Sequence, residues 1–261
     1  MIVAGSSFQN VLLNLSNGKR GLYYSSDWCN SFTCVLPNTA SGQAIYQPTG
    51  STDLYCVTVV PPALFVSHTG GKSWELKSGI DSEQITPYFA ICSLGGFVNE
   101  SGIHLYAGCS NPGKIIQSDD TGRTWKVTLA DSAIASSEIP QIVVNSCGNL
   151  IVACMSSGIQ TIHRSVYYHS LRDRGWISHS SPTNVWSITL DSASNRWWIG
   201  QFSKFDNNYP RASILESRDN GNSWNPLGDL QAKLVWMTTL TSSRKRLAAA
   251  TDDGVFLVDV D

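Results

Sequence analysis

Charged residues and long apolar runs are both scarce in this sequence, and each shortage excludes a class of protein. Only 15% of the 261 residues are charged, the net charge is −2, and the longest basic run is the triplet at residues 244–246. Because a nucleic-acid-binding protein needs a basic face, we expect no nucleic-acid partner. No apolar run reaches the roughly 20 residues that span a membrane as a helix, so no membrane span is predicted.

The sequence also lacks a recognisable targeting segment. Residues 1–5 are apolar but few, and no basic residue precedes them, so no signal peptide is predicted. The pattern assigns no compartment, and extracellular, virion-associated and cytoplasmic locations all stay open.

Motifs for metal, cofactor and nucleophile chemistry are missing as well. The seven cysteines and five histidines have no zinc-ligand spacing, and no nucleophile elbow, phosphate loop or dinucleotide fingerprint occurs. We therefore predict neither a metal site nor a cofactor. Cys56, Cys109 and Cys154 lie in apolar runs, where cysteine packs as a small hydrophobic residue. Cys29 and Cys34 flank a predicted turn and are the best disulfide candidates, a pairing that the sequence leaves open.

No stretch has a convincing helical period, whereas residues typical of strands and turns are abundant. Aromatic residues make up 10% of the chain and include nine Trp. Short runs rich in Val, Ile, Leu, Tyr and Trp alternate with Gly, Asn, Ser and Pro, which is the pattern of strands joined by turns. The sequence therefore favours an all-β protein. Trp197 and Trp198 are adjacent in one such run, so we expect them on opposite faces of a sheet, both in the core.

An eight-residue pattern, Ser-x-Asp-x-Gly-x-(Ser/Thr)-Trp, recurs along the chain. Residues 118–125 and 217–224 match it fully, and residues 67–74 match it with Thr69 in place of the Asp. Two weaker copies are residues 25–32, where Cys29 and Phe32 replace the Gly and the Trp, and residues 169–176, which have lost one residue. The closing aromatic residues are 42 to 51 residues apart, a spacing typical of a repeat protein.

Each position of the pattern suits a tight turn between two strands. The Asp accepts hydrogen bonds from backbone N–H groups, the Gly permits positive φ, and the Ser or Thr hydroxyl closes the turn locally. The Trp begins the outgoing strand and buries a large ring beside the turn. We assign this structural role to Asp27, Ser67, Gly71, Trp74, Ser118, Asp120, Gly122, Trp125, Ser217, Asp219, Gly221 and Trp224.

The pattern resembles the Asp-box, or BNR repeat, of sialidases, sortilin-type receptors and related β-propellers. The resemblance implies one β-propeller domain over residues 1–261, with blades of four antiparallel strands and an Asp-box between the third and fourth strands. We predict six blades, with five or seven as alternatives. The last repeat has only three predicted strands, so we expect the N- and C-terminal strands to close the ring. Residues 1–6 either supply the missing outer strand or belong within the first blade.

Function in such propellers usually lies on the face opposite the boxes, so the resemblance assigns no catalytic residue to them. The richest loop expected there is residues 202–211, which offer a cation, a carboxylate, amides and aromatic rings suited to a sugar or a peptide. The candidate ligand-binding residues are Lys204, Asp206, Asn207, Tyr209 and Arg211. Alternatively, this loop is a tolerated surface insertion.

Further carboxylates are predicted on loops between blades, at Asp81, Glu83 and Glu138. Further arginines, Arg20 and Arg164, lie near predicted starts of third strands, as Arg211 does. These carboxylates and arginines bear on the glycoside hydrolase alternative described next.

The function expected from these features is that of a non-catalytic scaffold, which presents loops to a protein or glycan partner in a larger extracellular or virion assembly. An alternative is a glycoside hydrolase of the sialidase type, which needs an arginine triad, an Asp and a Tyr–Glu pair. Arg20, Arg164, Arg211 and Tyr209 are the nominal equivalents, but the Phe/Tyr-Arg-Ile-Pro motif of those enzymes is missing. A third interpretation is an assembly factor for a membrane or photosynthetic complex, although the arginine-rich patch of that family is not concentrated here.

Overall fold

The fold is all-β, and a computed structural model describes the strands and turns that build it. It describes residues 2–4, 11–15, 21–37, 40–48, 51–60, 62–80, 91–110, 113–130, 137–144, 150–156, 165–169, 176–180, 185–191, 193–201, 213–230, 235–240 and 246–260. Within these ranges there is no helix, and hence none long and apolar enough to cross a membrane.

The chain divides into two compact units, Met1–Ala130 and Asp131–Asp261. The first unit contains three antiparallel sheets in which strands adjacent in sequence are paired, so each sheet is a four-stranded meander. The strands of these sheets are β1 (Ile2–Ala4), β2 (Val11–Leu15), β3 (Gly21–Ser25) and β4 (Thr33–Pro37); β5 (Ala40–Tyr46), β6 (Leu54–Val60), β7 (Ala63–Ser67) and β8 (Glu75–Gly79); and β9 (Ile91–Asn99), β10 (Gly102–Cys109), β11 (Lys114–Ser118) and β12 (Lys126–Leu129).

The second unit repeats this plan, with two four-stranded meanders and a last sheet that has three strands among the described residues. Its strands are β13 (Ser137–Val144), β14 (Leu150–Ser156), β15 (Ser165–His169) and β16 (Trp176–Ser180); β17 (Val185–Asp191), β18 (Arg196–Gln201), β19 (Ser213–Ser217) and β20 (Asn225–Asp229); and β21 (Val235–Leu240), β22 (Arg246–Thr251) and β23 (Gly254–Asp259). The predicted meanders, including the three strands of the last repeat, are confirmed.

The N-terminal segment belongs to the first sheet. β1 pairs with β2 in antiparallel register, with Val3 opposite Leu12. This is the second of the two placements that the sequence allowed for residues 1–6. Closure of the chain by its terminal strands, and the number of blades in a single domain, stay predictions.

β9 continues beyond the end that the sequence predicted for it. The expected strand at residues 87–94 ends before a pair of glycines, whereas β9 continues through them to Asn99. Gly96 lies opposite Leu105 in the ladder, and a Cβ at Gly96 would lie 2.3 Å from the His104 carbonyl oxygen. The glycine therefore permits a close approach of β9 to β10 rather than marking a turn.

The core of the first unit forms where successive sheets face each other. Leu64 and Val57 of the second sheet pack in one buried cluster with Leu105 and Ile116 of the third. The turn at Gly122 belongs to the same contact, because a Cβ there would meet Leu64 Cδ2 at 2.1 Å. The Ser78 hydroxyl donates to the Gly122 carbonyl oxygen at 2.5 Å, so the turn of one sheet is tied to the last strand of the preceding one.

The core of the second unit contains the adjacent tryptophans Trp197 and Trp198. Each is 1% exposed, and they belong to different clusters, as expected for neighbours on opposite faces of a strand. Trp197 packs with Ile188 and other residues of its own sheet, whereas Trp198 packs with Val235 and Leu247 of the last sheet. The prediction that both rings are core is confirmed. Burying about 200 Å² per ring contributes on the order of 5 kcal/mol each before entropy is subtracted.

A buried ion pair accompanies Trp198. The Arg196 and Glu216 side chains are 15% and 9% exposed, and Arg196 Nε donates to Glu216 Oε1 at 2.5 Å. The Arg196 guanidinium also lies 5.0 Å from the Trp198 ring centroid and donates to the Val260 carbonyl oxygen just beyond β23. Arg196 therefore connects the fifth sheet to the end of the last strand.

Replacing Glu216→Gln should destabilise the protein by about 3 kcal/mol, because it leaves the largely buried Arg196 without its countercharge. The matched control is Arg246→Ala, which breaks the ion pair between Arg246 and Asp259. Because these side chains are 56% and 72% exposed, the control should lower the free energy of unfolding by less than about 1 kcal/mol. Urea unfolding measures both. Equal losses in the two variants would contradict the structural role given to the buried pair.

Candidate functional site

The loop predicted to bind a ligand joins β18 to β19, but residues 202–212 lie outside the described residues. Lys204, Asp206, Asn207, Tyr209 and Arg211 therefore stay candidates. The flanking strands are described, and Gly200 lies opposite Ile214 in their ladder. β19 begins at Ser213, directly after residues 202–212 in the sequence, and its other end enters the turn at residues 217–224.

The other residues predicted on loops either lie outside the described residues or, for one of them, lie within a strand. Arg20, Arg164, Asp81 and Glu83 also lie outside the described residues. Glu138 was predicted on a loop between blades, and this is wrong, because it lies within β13 opposite Met155. β13 begins at Ser137, before the apolar residues from which the strand was predicted. Glu138 was therefore assigned to the preceding loop.

Four copies of the eight-residue pattern are described, and each connects the third and fourth strands of its sheet. We call residues 25–32, 67–74, 118–125 and 217–224 the repeat turns. They follow β3, β7, β11 and β19, as predicted. The fifth copy, residues 169–176, lies between β15 and β16, and its residues 170–175 are outside the described part of the chain.

The repeat turn at residues 118–125 is closed by two side chains. Ser118 Oγ accepts a hydrogen bond from the Gly122 amide at 2.8 Å and donates to Asp120 Oδ1 at 2.8 Å. Asp120 Oδ1 in turn accepts from the amides of Arg123 and Thr124 at 2.9 Å each, and Oδ2 accepts from the Thr124 hydroxyl at 2.7 Å. Burial favours the neutral form of Asp120, but these bonds outweigh it and lower its pKa to about 2.

The turns at Asp27 and Asp219 repeat this network. Asp27 accepts from the Ser31 amide and hydroxyl at 2.9 and 2.6 Å, and Asp219 accepts from the same groups of Ser223 at 2.9 and 2.6 Å. The side-chain hydrogen bonds from Ser31 and Ser223 are the largest influences that lower the pKa of Asp27 and of Asp219 to about 2. The weaker copy at residues 25–32 therefore has the same geometry as the full match at 217–224.

The turn at residues 67–74 keeps the geometry with a smaller side chain. Thr69 Oγ1 accepts from the Ser73 amide at 2.9 Å and bonds the Ser73 hydroxyl at 2.9 Å. One hydroxyl oxygen replaces two carboxylate oxygens, so the turn has fewer acceptors. Trp74 Nε1 donates to the Gly71 carbonyl oxygen at 3.1 Å.

Two consecutive residues with positive φ bend the chain in every repeat turn. They are Trp28 and Cys29, Gly70 and Gly71, Thr121 and Gly122, and Asn220 and Gly221. The first turn adopts this backbone without a glycine, at a cost of about 1–2 kcal/mol per non-glycine residue.

Cys29 and Cys34, the candidate disulfide pair, are both free exposed thiols. Burial raises the pKa of Cys56 and of Cys109 to about 12, so these thiols are unreactive.

A cluster of polar side chains on the third sheet borders its repeat turn, and the sequence interpretation missed it. Asp119 Oδ1 lies 2.9 Å from His104 Nδ1 and accepts from Gln117 Nε2 at 2.5 Å. Lys126 Nζ donates to Asp119 Oδ2 at 2.6 Å, and the Phe97 ring stacks on His104 at 4.6 Å. Burial opposes ionisation of Asp119, but the bonds from Lys126, His104 and Gln117 prevail and lower its pKa.

The second sheet has an equivalent cluster with the charges reversed. His68 Nδ1 lies 2.8 Å from Asp53 Oδ1, and Nε2 lies 3.3 Å from Glu75 Oε1. The hydrogen bond with Asp53 is the largest influence that raises the pKa of His68. The ladder positions correspond, because Leu54 lies opposite Ser67 and Leu105 lies opposite Ser118. In both sheets, the residue that precedes the serine's ladder partner thus pairs with the residue that follows the serine.

Ser101, His104 and Asp119 are placed in the order of a Ser-His-Asp triad, since His104 Nε2 lies 3.0 Å from Ser101 Oγ. The hydroxyl hydrogen of Ser101, however, is directed at Asn99 Oδ1 at 2.7 Å, and the Ser101 amide donates to the same oxygen at 2.9 Å. His104 Nε2 also lies 3.2 Å from Asn99 Oδ1. Because the Ser101 hydroxyl donates to Asn99 and not to His104, the three residues are not arranged as a nucleophile and its base.

A shallow depression beside this cluster has a volume of about 210 Å³. It is lined by Gln117, Asp119, Asp120, Thr124, Trp125 and Lys126. Its carboxylates are already bonded within the turn or to Lys126. Among the described residues there is also no group of three or more His, Cys, Asp or Glu side chains that could hold a metal ion. The described polar clusters are thus suited to fixing the turns rather than to transferring protons.

Comparison with known proteins identifies the fold. No protein-family model matches the chain, and no curated protein matches it in sequence. Solved structures do match: a GH74 enzyme from Niastella koreensis (19% identity, TM-score 0.71, 95% of this chain and 43% of that one) and a GH74 xyloglucanase from Xanthomonas campestris (14%, 0.75, 98% and 44%). Ycf48 bound to D1 peptide also matches, with 13% identity and a TM-score of 0.63 over 99% of this chain and 77% of that one.

These structures are β-propellers, and at such identities the likeness shows the fold alone. This chain is a β-propeller fold built of antiparallel meanders, as predicted. It spans less than half the length of the two GH74 enzymes.

Replacing Thr69→Asp should stabilise the protein by about 1 kcal/mol, because a carboxylate adds acceptors for donors already in the turn, and the Tm should rise by about 2–4 °C. The reverse change, Asp120→Thr, should lower the Tm by a comparable amount. The pKa of the new carboxyl should be lowered as that of Asp120 is, to about 2 from a usual 3.8. Its stabilisation should therefore be present above pH 3.8 and disappear as the pH falls through 2.

Thermal unfolding of the two variants between pH 2 and pH 7 measures the effect. A neutral or destabilising Thr69→Asp, together with a neutral Asp120→Thr, would contradict the role given to the turn carboxylate.

Proposed function

We propose that this chain is a non-catalytic propeller module that presents loops to a protein or glycan partner. The observation that supports the proposal is that the acidic residues in and beside the repeat turns are already hydrogen-bonded to neighbouring groups of the protein. Asp27, Asp120 and Asp219 accept hydrogen bonds from their own turns, and Asp119 is held by three neighbours. A glycosidase acid or base must instead face the substrate.

The repeat turns are, in this proposal, Asp-boxes of the BNR type, and Ser67, Ser118, Ser217 and their turn partners act in folding. The sequence pattern and the shared hydrogen-bond network support this assignment. The binding face then lies at the other end of the sheets, on the loop at residues 202–211. Lys204, Asp206, Asn207, Tyr209 and Arg211 are its proposed contact residues.

A peptide or protein ligand is the favoured partner class. The fold is one in which a peptide complex is known, because a structure of Ycf48 bound to D1 peptide is among the neighbours. A cation, a carboxylate, two amides and a tyrosine in one loop provide directional polar contacts around an aromatic anchor. A place in a larger extracellular or virion assembly, or in the assembly of a membrane complex, belongs to the same proposal.

Glycoside hydrolysis is the second candidate, favoured by the fold likeness to GH74 enzymes, one of which is a xyloglucanase. The loop residues Arg211 and Tyr209, with Arg20 and Arg164, would then contact the sugar. This candidate requires turnover, which the binding proposal excludes.

The two candidates are separated by comparing Arg211→Ala with Arg218→Ala on peptide and glycan arrays. In the sequence Arg211 precedes β19 and Arg218 follows it, and the Arg218 side chain is 63% exposed, so Arg218→Ala is the matched control. We expect binding to a set of array ligands that weakens at least about tenfold, or 1.4 kcal/mol, in Arg211→Ala and is unchanged in Arg218→Ala.

The same proteins are incubated with xyloglucan and with a fluorogenic sialoside. Turnover that Arg211→Ala abolishes would overturn the binding proposal in favour of hydrolysis. Array binding that is equal in all three proteins would exclude the 202–211 loop as the binding surface.

A further inference from the structure

The first repeat turn, residues 25–32, presents two aromatic rings to solvent. Trp28 is 65% exposed and Phe32 is 38% exposed, and every residue from 28 to 34 is exposed. In the other three described turns the residue that corresponds to Cys29 is a buried glycine, and the closing aromatic residue is a tryptophan that is buried or half-buried. The first turn therefore differs from the others in the surface that it offers.

The backbone of this turn is strained at the exposed tryptophan. Trp28 and Cys29 have φ of 60° and 66°, a region that bulky residues adopt only with strain. The residues at the position of Trp28 in the other turns are Gly70, Thr121 and Asn220, and glycine and asparagine suit this region best. Because strained residues of this kind cluster at ligand-binding sites, Trp28 is the residue of this turn best suited to contact a ligand.

The chain around Trp28 carries one charge, and that charge is directed into the turn. Between residues 21 and 37 the only charged side chain is that of Asp27. Its Oδ1 accepts from the Ser25 hydroxyl and the Ser31 amide at 2.8 and 2.9 Å, and its Oδ2 accepts from the Ser31 hydroxyl at 2.6 Å. This segment contains no lysine or arginine to pair with an anionic ligand, so an uncharged ligand fits it better.

Neutral polar side chains accompany the two rings. Ser26, Asn30 and Thr33 are exposed, and their hydroxyl and amide groups can both donate and accept hydrogen bonds. An aromatic ring with neutral polar groups beside it suits a sugar, because the C–H groups of a pyranose pack on the ring while its hydroxyl groups exchange hydrogen bonds with the polar groups.

The extent of the apolar surface favours a small ligand over a partner protein. An aromatic side chain offers about 150–250 Å², so Trp28 and Phe32 together offer no more than about 300–500 Å². A stable protein–protein interface covers about 800 Å² on each partner. The two rings are therefore too little for the core of such an interface, but they are enough for a short oligosaccharide.

We propose that Trp28 is a stacking platform for a neutral oligosaccharide, with Phe32 as a second apolar contact and the neutral polar side chains of the turn as hydrogen-bonding neighbours. The strained backbone holds the indole ring exposed before the ligand arrives, so little ordering is required on binding. Acidic sugars are disfavoured by Asp27. This site is separate from the loop at residues 202–211, and the proposal does not depend on that loop.

NMR of the full chain tests the site directly, because each of the nine Trp residues gives one indole N–H signal and Trp28→Asn identifies the signal of Trp28. The neutral probes are cellohexaose, maltohexaose, mannohexaose and chitohexaose, and the acidic probe is hexagalacturonate. At least one neutral hexasaccharide should shift the Trp28 signal saturably, whereas hexagalacturonate should leave it unchanged.

Trp28→Asn also separates binding from folding. Asparagine adopts positive φ readily, as Asn220 does in the fifth sheet, so this variant should keep its Tm or raise it by up to about 4 °C. Its affinity for the neutral hexasaccharide should fall at least about tenfold. The matched control is Leu76→Asn, which alters a similarly exposed apolar residue (63%) in the second sheet and should leave the affinity unchanged.

Four outcomes would overturn the proposal. These are no saturable shift with any neutral hexasaccharide, an equal shift with hexagalacturonate, equal affinities of Trp28→Asn and Leu76→Asn, and a Tm of Trp28→Asn that is more than about 4 °C lower, which would show that the ring stabilises the fold.

Two further measurements identify a different occupant. Cosedimentation with phosphatidylcholine vesicles that Trp28→Asn abolishes would show that the turn binds a lipid surface instead. Self-association of the chain that Trp28→Asn abolishes would show that a second copy covers the rings. Arg211→Ala should bind the neutral hexasaccharide as the unmodified protein does, and a loss of binding in that variant would place the sugar on the loop at residues 202–211 and not on Trp28.

Discussion

A buried serine hydroxyl at the end of four third strands, β3, β7, β11 and β19, is the interaction on which the described repeat turns depend. Ser25, Ser67, Ser118 and Ser217 are at most 1% exposed, and a buried hydroxyl must be hydrogen-bonded to be tolerated. Each accepts the amide four residues ahead at 2.8–3.0 Å. In all four turns this bond closes a segment that contains two consecutive residues of positive φ. The serine therefore selects the turn, and the turn fixes where the fourth strand begins.

The acidic residue of the turn extends this constraint outward. Its carboxylate accepts the amide and the hydroxyl that precede the closing aromatic residue, as Asp219 does with Ser223. The aromatic residue is thereby placed at the first position after the turn, where Trp125 is 6% exposed. In the first unit the same turn packs on the preceding sheet through Gly122 and Ser78. Local hydrogen bonding and packing between sheets are thus connected at one place.

The sequence predicted the parts of this structure that local chemistry determines. The turn pattern, the alternation of apolar residues and the adjacent Trp197 and Trp198 were sufficient to give the meanders, the positions of four turns and two core residues. The polar pairs were missed, because His104 and Asp119 are brought together by ladder register and not by a motif. Aligning the repeats on their serines would have revealed them, since Asp53 and His68 occupy the same two positions. Glu216 was missed because its burial depends on Arg196 and on the neighbouring sheet.

The most direct test of the serine's role is amide hydrogen exchange, measured by NMR, at the four residues that donate to it. Cys29, Gly71, Gly122 and Gly221 lie in turns, where amides usually exchange rapidly, yet each should be protected at least about 100-fold relative to the unfolded chain. Ser118→Ala should remove the protection of Gly122 and leave that of Gly221 intact. Exchange at the rate of exposed turn amides in the unmodified protein would contradict the account.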